Sequence, residues 1–228
     1  MEITPYYEKQ VECIHCKRKF KTLKVRSTFV KVKETESDFH PIYENDVNPL
    51  LYNVFVCEHC GFSFTEDFSK YFGPGQKEEI DEKISSHWKT HNFSGERTIA
   101  DALQAYQLGL VCGNIKKEQP ITLAGLALRT AWLYRSIGKE EQEKRFMEIS
   151  RNQYIESYST GDYVGTSMTE IRVLYMIAEL SRRIGDREKA IRHFSKVIEM
   201  QRSSNDVKII EMAKDQWQQM KEEKSTVE

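Results

Sequence analysis

Two short knuckles constrain this chain more than anything else in it: Cys13-Ile14-His15-Cys16 and Cys57-Glu58-His59-Cys60. Thiols two residues apart can grip one ion, and two such pairs supply the four soft ligands that a tetrahedral zinc ion prefers. The expected metal ligands are therefore Cys13, Cys16, Cys57 and Cys60, and the expected cofactor is Zn2+. The chain has five cysteines; a disulfide framework would leave one unpaired, so the count favours a metal site in a reducing compartment. The fifth, Cys112, lies in a helical pattern and reads as an inert packed thiol. Four thiolates around a divalent ion leave excess negative charge that backbone N–H groups and cations must offset. Gly61, just past the second knuckle, permits the tight turn that aims N–H groups at sulfur, and Lys17, Arg18 and Lys19 follow the first. His15 and His59, inside the knuckles, are expected to be exposed loop residues. The 40-residue gap between Cys16 and Cys57 is long for a compact finger. It predicts a β-excursion through the acidic Glu34 to Asp46 stretch, between the halves of a zinc ribbon.

The remaining composition sets outer limits. In 228 residues, 39% hydrophobic and 30% charged, the balance is that of a globular protein. A formal net charge of -1 excludes the whole chain as an electrostatic footprint for nucleic acid or anionic membrane, so such a role needs a local patch. The first residues lack the basic flank and apolar run of a signal peptide, and no stretch approaches a membrane span; a cytoplasmic protein is expected.

Residues 1–73 are rich in aromatic and β-branched side chains, with strands expected at Val25 to Lys33 and Leu51 to Val56. A β-rich module this small commonly adds a metal staple. Gly73-Pro74-Gly75 then breaks the pattern, and apolar spacing switches from alternation to three and four. The expected class is α+β, mostly α: a zinc-ribbon-like module over 1–73 and a helical domain over 76–228. Ile80, Ile84 and Trp88 mark a short amphipathic helix, and Ile99, Ala102, Leu103, Tyr106 and Leu110 the next. Pro120 opens a third, apolar on two sides and so interior. A fourth follows Gly138, and the Ser167 to Glu170 spacing reads as a capping box opening a fifth. Gly185-Asp186 acts as stop and restart before a sixth burying Ala190, Ile191, Phe194, Val197 and Ile198. A last helix uses Ile210, Ala213, Trp217 and Met220, with Lys221 to Glu228 as a frayed tail.

Residues 171 to 201 resemble a tetratricopeptide hairpin: Ala178 in the first helix, Gly185-Asp186 at the turn, and Ala190-x3-Phe194 in the second. Ala124 to Tyr154 repeats the theme through Ala131, Tyr134 and Gly138, but the two turn glycines lie 47 residues apart, so the array is degenerate. Stacked helix pairs of this kind leave a surface for another chain; a closed helical bundle with no groove in use is the plainer alternative.

A wider set of motifs carries a family resemblance: Cys13-x2-Cys16, Asn48-Pro49-Leu50-Leu51-Tyr52, Val56-Cys57-x2-Cys60-Gly61, Asp67-Phe68, Leu128-Arg129-x-Ala131-Trp132-Leu133-Tyr134-Arg135 and Glu179-Leu180-x-Arg182-Arg183-Ile184-Gly185. Together they resemble a family of Firmicutes and related bacterial proteins known only as a domain of unknown function. The resemblance implies a cytoplasmic bacterial protein with an N-terminal zinc ribbon and a C-terminal tetratricopeptide-like region, and implies no established activity. Lys17 stands where that family often has glycine, and Ile14 where proline is common.

For function, the residues point to a non-enzymatic protein that binds a protein partner through its helical surface, with Arg129, Arg135, Arg172, Arg182 and Arg183 as candidate lining residues. No phosphate-cradling loop or serine elbow appears, and His87 and His91 lack the glutamate of a zinc hydrolase. Two alternatives remain open. Lys9 to Lys33 carries nine lysines and arginines against one glutamate, so Lys17, Arg18, Lys19, Lys21, Lys24 and Arg26 are a candidate nucleic-acid patch. A thiol or zinc redox sensor is the other, since a CxxC pair can cycle through a disulfide.

Overall fold

The computed structural model describes residues 3–227 apart from Thr90, with side chains described as far as Glu222. The fold is mostly α, with a small β part near the N-terminus. Residue contacts group into two units, each interleaved in sequence: residues 1–36, 41–118 and 132–138 form one, and residues 37–40, 119–131 and 139–228 the other. Gln76 to Glu118, which the Gly73-Pro74-Gly75 break separates from the knuckles in sequence, share the first unit with them.

The first unit is built on hairpins that turn at the knuckles. Strand β1 (Tyr6–Glu12) pairs antiparallel with β2 (Lys19–Val25), in a register that sets Val11 opposite Phe20 and Glu12 opposite Lys19. The pleat alternates, so Phe20 and Thr22 are buried while Lys19 and Lys21 are exposed. β3 (Val32–Thr35) and β4 (Pro41–Tyr43) form the inserted hairpin that the long inter-knuckle gap and acidic stretch called for. β5 (Phe55–Val56) and β6 (Ser63–Phe64) flank the second knuckle.

Two strand expectations need correction. Val25 to Lys33 is not one strand, because a 3-10 turn over Ser27–Phe29 separates the end of β2 from β3. Leu51 to Val56 is a strand only at Phe55–Val56. Before it, Asn48 accepts the Leu50 N–H on its side chain at 2.9 Å and the Pro49 ring fixes its own φ, so Pro49–Tyr52 winds into a 3-10 turn.

Helix α1 (Gln76–Lys83) is followed by a 3-10 turn over Ser85–His87, and Trp88 leaves it in extended conformation. The expected single helix through Ile80, Ile84 and Trp88 therefore stops early, and His87 and His91 share no helix face. Helix α2 (Ile99–Lys116) opens on a capping box in which Thr98 and Asp101 exchange hydrogen bonds. It packs on α1, β5 and β6, and Cys112 is fully buried there, its sulfur accepting the Ser63 N–H at 3.3 Å. Burial pushes that thiol up to about 12.

Arg97 organises the same core. Its guanidinium is buried and donates to the carbonyls of Phe93, Leu51 and Val54 at 2.8 to 3.1 Å. No carboxylate stands among these acceptors, so burial lowers its pKa to about 10.

Helix α3 (Pro120–Ser136) is buried on several faces, through Leu123, Leu126, Ala127, Leu128, Ala131 and Leu133, as expected of an interior helix. In the second unit α4 (Glu140–Thr160) packs against α5 (Glu170–Ile184), and α5 against α6 (Arg187–Glu199) and α7 (Val207–Val227). Gly185 exits α5 at φ 89°, and the Asp186 side chain accepts the Lys189 N–H to start α6. The capping box expected at Ser167 does not form: the cap of α5 is Thr169, without a side-chain bond. On α6, Ala190, Phe194 and Val197 are buried, while Ile191 is 37% exposed and stands outside the core. Helix α7 runs to Val227, so the tail from Lys221 is helical there; the side chains from 223 onward lie outside the described residues. No helix among the described residues is long and apolar enough to cross a membrane.

Candidate metal centre

The two knuckles have the same local construction. In the first, Lys17 N–H donates to the Cys13 carbonyl at 3.0 Å and Cys13 N–H to the Arg18 carbonyl at 2.9 Å; in the second, Gly61 bonds Cys57 at 2.8 Å and Cys57 bonds Phe62 at 3.1 Å. Each hairpin thus closes over its CxxC through one residue in the left-handed region, Gly61 at φ 71° and Lys17 at φ 64°. Glycine adopts that conformation freely, whereas lysine pays for it. Lys17 therefore keeps the turn geometry despite departing from the glycine common at its position.

The turns bring the four sulfurs within 4.8 Å of one another. The shortest contacts run across the knuckles, Cys13 to Cys60 and Cys16 to Cys57, each 3.7 Å. All four are free thiols, with Cys16 half-buried and the others buried. Backbone N–H groups converge on the sulfurs: Cys16 on Cys13, His59 and Cys60 on Cys57, and Phe62 on Cys60. The Cys57 thiol is pushed down, first by hydrogen bonds from Cys13 and Cys60 and then by those backbone donors. Cys13 is pushed up by sharing with Cys57, and Cys60 by sharing with Cys13. With Cys57 pushed down and Cys13 and Cys60 pushed up, a cation is needed for those two thiols to ionise readily. The arrangement can hold a metal ion.

Side chains from the segment after Gly75 reach both knuckles. His15 is buried, a correction to its expected exposure. Its ring lies 5.6 Å from that of Phe62 and 6.0 Å from that of Phe72, and its Nε2 meets Asp81 of α1 at 2.8 Å. Trp88 covers the second knuckle, its indole N–H donating to the Glu58 carbonyl at 2.9 Å. A Cβ on Gly61 would stand 2.4 Å from that indole. Sequence patterns placed Trp88 on a helix; only its escape from α1 lets it reach the knuckle. His59 is exposed and meets the Lys19 carbonyl at 3.2 Å.

Residues 6–220 match the model of the family described as "Uncharacterized protein conserved in bacteria (DUF2225)". The chain belongs to this family. A relative of Borreliella burgdorferi, called an uncharacterized protein, is 27% identical over 172 residues, covering 67% of this chain and 61% of that protein. The chain thus spans less than two thirds of that relative's length. No solved structure matches.

In this DUF2225 chain the basic residues around the first knuckle fall on different surfaces. Lys17, Arg18 and Lys19 are exposed at the turn. Lys21 pairs with Glu8 at 2.8 Å, and the hydrogen bond raises its pKa. Lys24 lies on the core side of β2, 4.9 Å from the centre of the Phe55 ring and 3.6 Å from Glu66; desolvation lowers its pKa. Arg26 lies over Tyr7 and donates to the Thr4 carbonyl. The five arginines nominated for a partner surface also have partners within the fold: Arg129 donates to the Gly125 carbonyl, Arg135 pairs with Glu36, Arg172 with Asp206, and Arg182 and Arg183 with Glu179.

Proposed function

We propose that this protein is a non-enzymatic, cytoplasmic zinc protein in which the ion staples the knuckle hairpins and a tetratricopeptide-like helical surface binds a protein partner. The observation that carries the metal part is the cage. Ligands about 2.3 Å from a tetrahedral zinc stand about 3.8 Å apart, and the cross-knuckle sulfurs are 3.7 Å apart. Four cysteines complete a tetrahedron and leave no open position for a substrate, which supports a structural ion. Bound there, zinc would contribute folding free energy by cross-linking two hairpins too short to stand alone. The helical part of the reading draws on the α4, α5 and α6 packing and the Gly185-Asp186 turn, the features that such hairpin arrays share.

The test is metal analysis joined to partner recovery. Protein purified without chelator should carry one zinc per chain, and Cys13→Ser or Cys60→Ser should lose it together with protease resistance around the knuckles. A protein partner recovered from native extract should withstand nuclease. Zinc-free protein with an intact N-terminal region would overturn the metal reading. A complex that nuclease or moderate salt dissolves would replace the protein partner with nucleic acid.

A further inference from the structure

Tyr175, Glu179 and Arg183 recur every four residues along α5, so their side chains line up on one face of the helix. All three engage the same short segment, Ser37–His40, which belongs to the second unit. The Tyr175 hydroxyl donates to the Ser37 carbonyl at 2.8 Å. The Ser37 hydroxyl donates to Glu179 at 2.7 Å and accepts from Arg183 at 3.0 Å. Arg183 also lies 3.5 Å from the Asp38 carboxylate, and the Phe39 ring packs on Tyr175 with centroids 5.6 Å apart. Arg182 holds Glu179 by both carboxylate oxygens, at 2.7 and 2.8 Å, fixing the middle of the ladder. A main-chain carbonyl, a hydroxyl, a carboxylate and an aromatic ring are thus all met by three side chains on one helix face. Such a set of contacts discriminates one short sequence from another.

The hairpin that carries this segment buries little of itself, although Glu36 beside it pairs with Arg135. β3 is exposed along its whole length, β4 is half-buried, and their two-stranded sheet is interrupted by an irregularity between Val32 and Glu34. Between residues 32 and 43 the buried residues are Asp38 and His40. A short isolated hairpin is marginal, so its burial is concentrated at the tip. Phe39 is held at φ 66°, in the left-handed region that aromatic residues avoid, and release would relieve that strain.

We propose that the Tyr175-Glu179-Arg183 ladder is a peptide-recognition surface, that Ser37–His40 is its built-in occupant, and that a partner protein bearing a hydroxyl, carboxylate and aromatic residue in succession displaces it. The proposal rests on the interaction reading and names its partner class.

A fluorescent peptide with the sequence of residues 34–43 tests it by anisotropy against the full-length, zinc-loaded chain. In wild type the tethered segment competes at an effective concentration on the order of millimolar, so trans binding is suppressed. The triple variant Ser37→Ala/Asp38→Asn/Phe39→Ala removes the segment's side-chain contacts with the ladder and so vacates it; it should bind at least tenfold tighter than wild type, and adding Arg183→Glu should remove that binding. Equal binding by wild type and vacated variant, or none by a vacated variant with wild-type helicity and zinc, overturns the proposal. If that variant does not fold, hydrogen exchange on wild type decides. Excess peptide should speed exchange at residues 37–40 while α5 stays protected, and unchanged exchange overturns the proposal. A nuclease-resistant partner that Arg183→Glu still recovers would overturn the ladder while leaving the interaction reading standing.

Discussion

Replacing Gly61 with alanine should weaken zinc binding by about two to three orders of magnitude, in two separable parts. The first is backbone: an L side chain at the φ of 71° costs about 1–2 kcal/mol. The second is steric, since the new Cβ would lie 2.4 and 2.5 Å from Cε3 and Cδ2 of Trp88 and the indole must move away. Its departure forfeits the bond to the Glu58 carbonyl, about 1 kcal/mol, and apolar cover worth about another 1 kcal/mol. The sum, about 3–4 kcal/mol, corresponds to about 150- to 900-fold in Kd. Competition against a chromophoric zinc chelator measures it. In a Trp88→Ala background only the backbone part remains, so Gly61→Ala should then cost about tenfold. An equal loss in both backgrounds, or a loss below about threefold in the wild-type background, would refute the account of the knuckle. The reverse holds at the partner position. Lys17→Gly relieves the strain at φ 64° and should tighten zinc binding about fivefold, worth about 1 kcal/mol.

Arg97→Met should destabilise the first unit by about 3 kcal/mol, because three buried carbonyls lose their donor; Arg97→Lys should recover only part of the loss in urea unfolding of the metal-loaded protein. Loading zinc should release protons, since the raised Cys13 and Cys60 thiols must ionise, so affinity should fall as pH drops; calorimetry in buffers of different ionisation enthalpy checks this. His193 titrates below its ordinary 6.5, chiefly through burial. The folded state therefore prefers the neutral ring, a contribution present above pH 6.5 and lost as pH falls through the lower folded value. Melting of the helical unit should drop between pH 7 and 5, and His193→Gln should flatten that slope.

Much of this protein is legible from local pattern. CxxC spacing named the four sulfurs that converge, Pro120 and the two-sided apolar pattern marked α3, and Gly185-Asp186 marked the α5 to α6 turn. The failures share a cause. β1 went unseen because Glu8, Lys9, Gln10 and Glu12 are polar, and its pairing with β2 depends on where the knuckle turns. Ile191 fits an apolar stripe, yet α6 is not covered at that point. No local pattern marks Arg97 for burial, because two of the carbonyls it binds, those of Leu51 and Val54, lie far away in sequence.

The sequence by itself determined which four cysteines could share an ion, the helical character after Gly75 and the need for an insertion between the knuckles, because each depends on spacing along the chain. Tertiary structure alone decided that His15 is buried against Asp81, that Trp88 covers Gly61, and that Arg182 and Arg183 are spent on Glu179. Those outcomes depend on which groups approach from distant segments, and burial and charge pairing are properties of that approach rather than of any local run of residues.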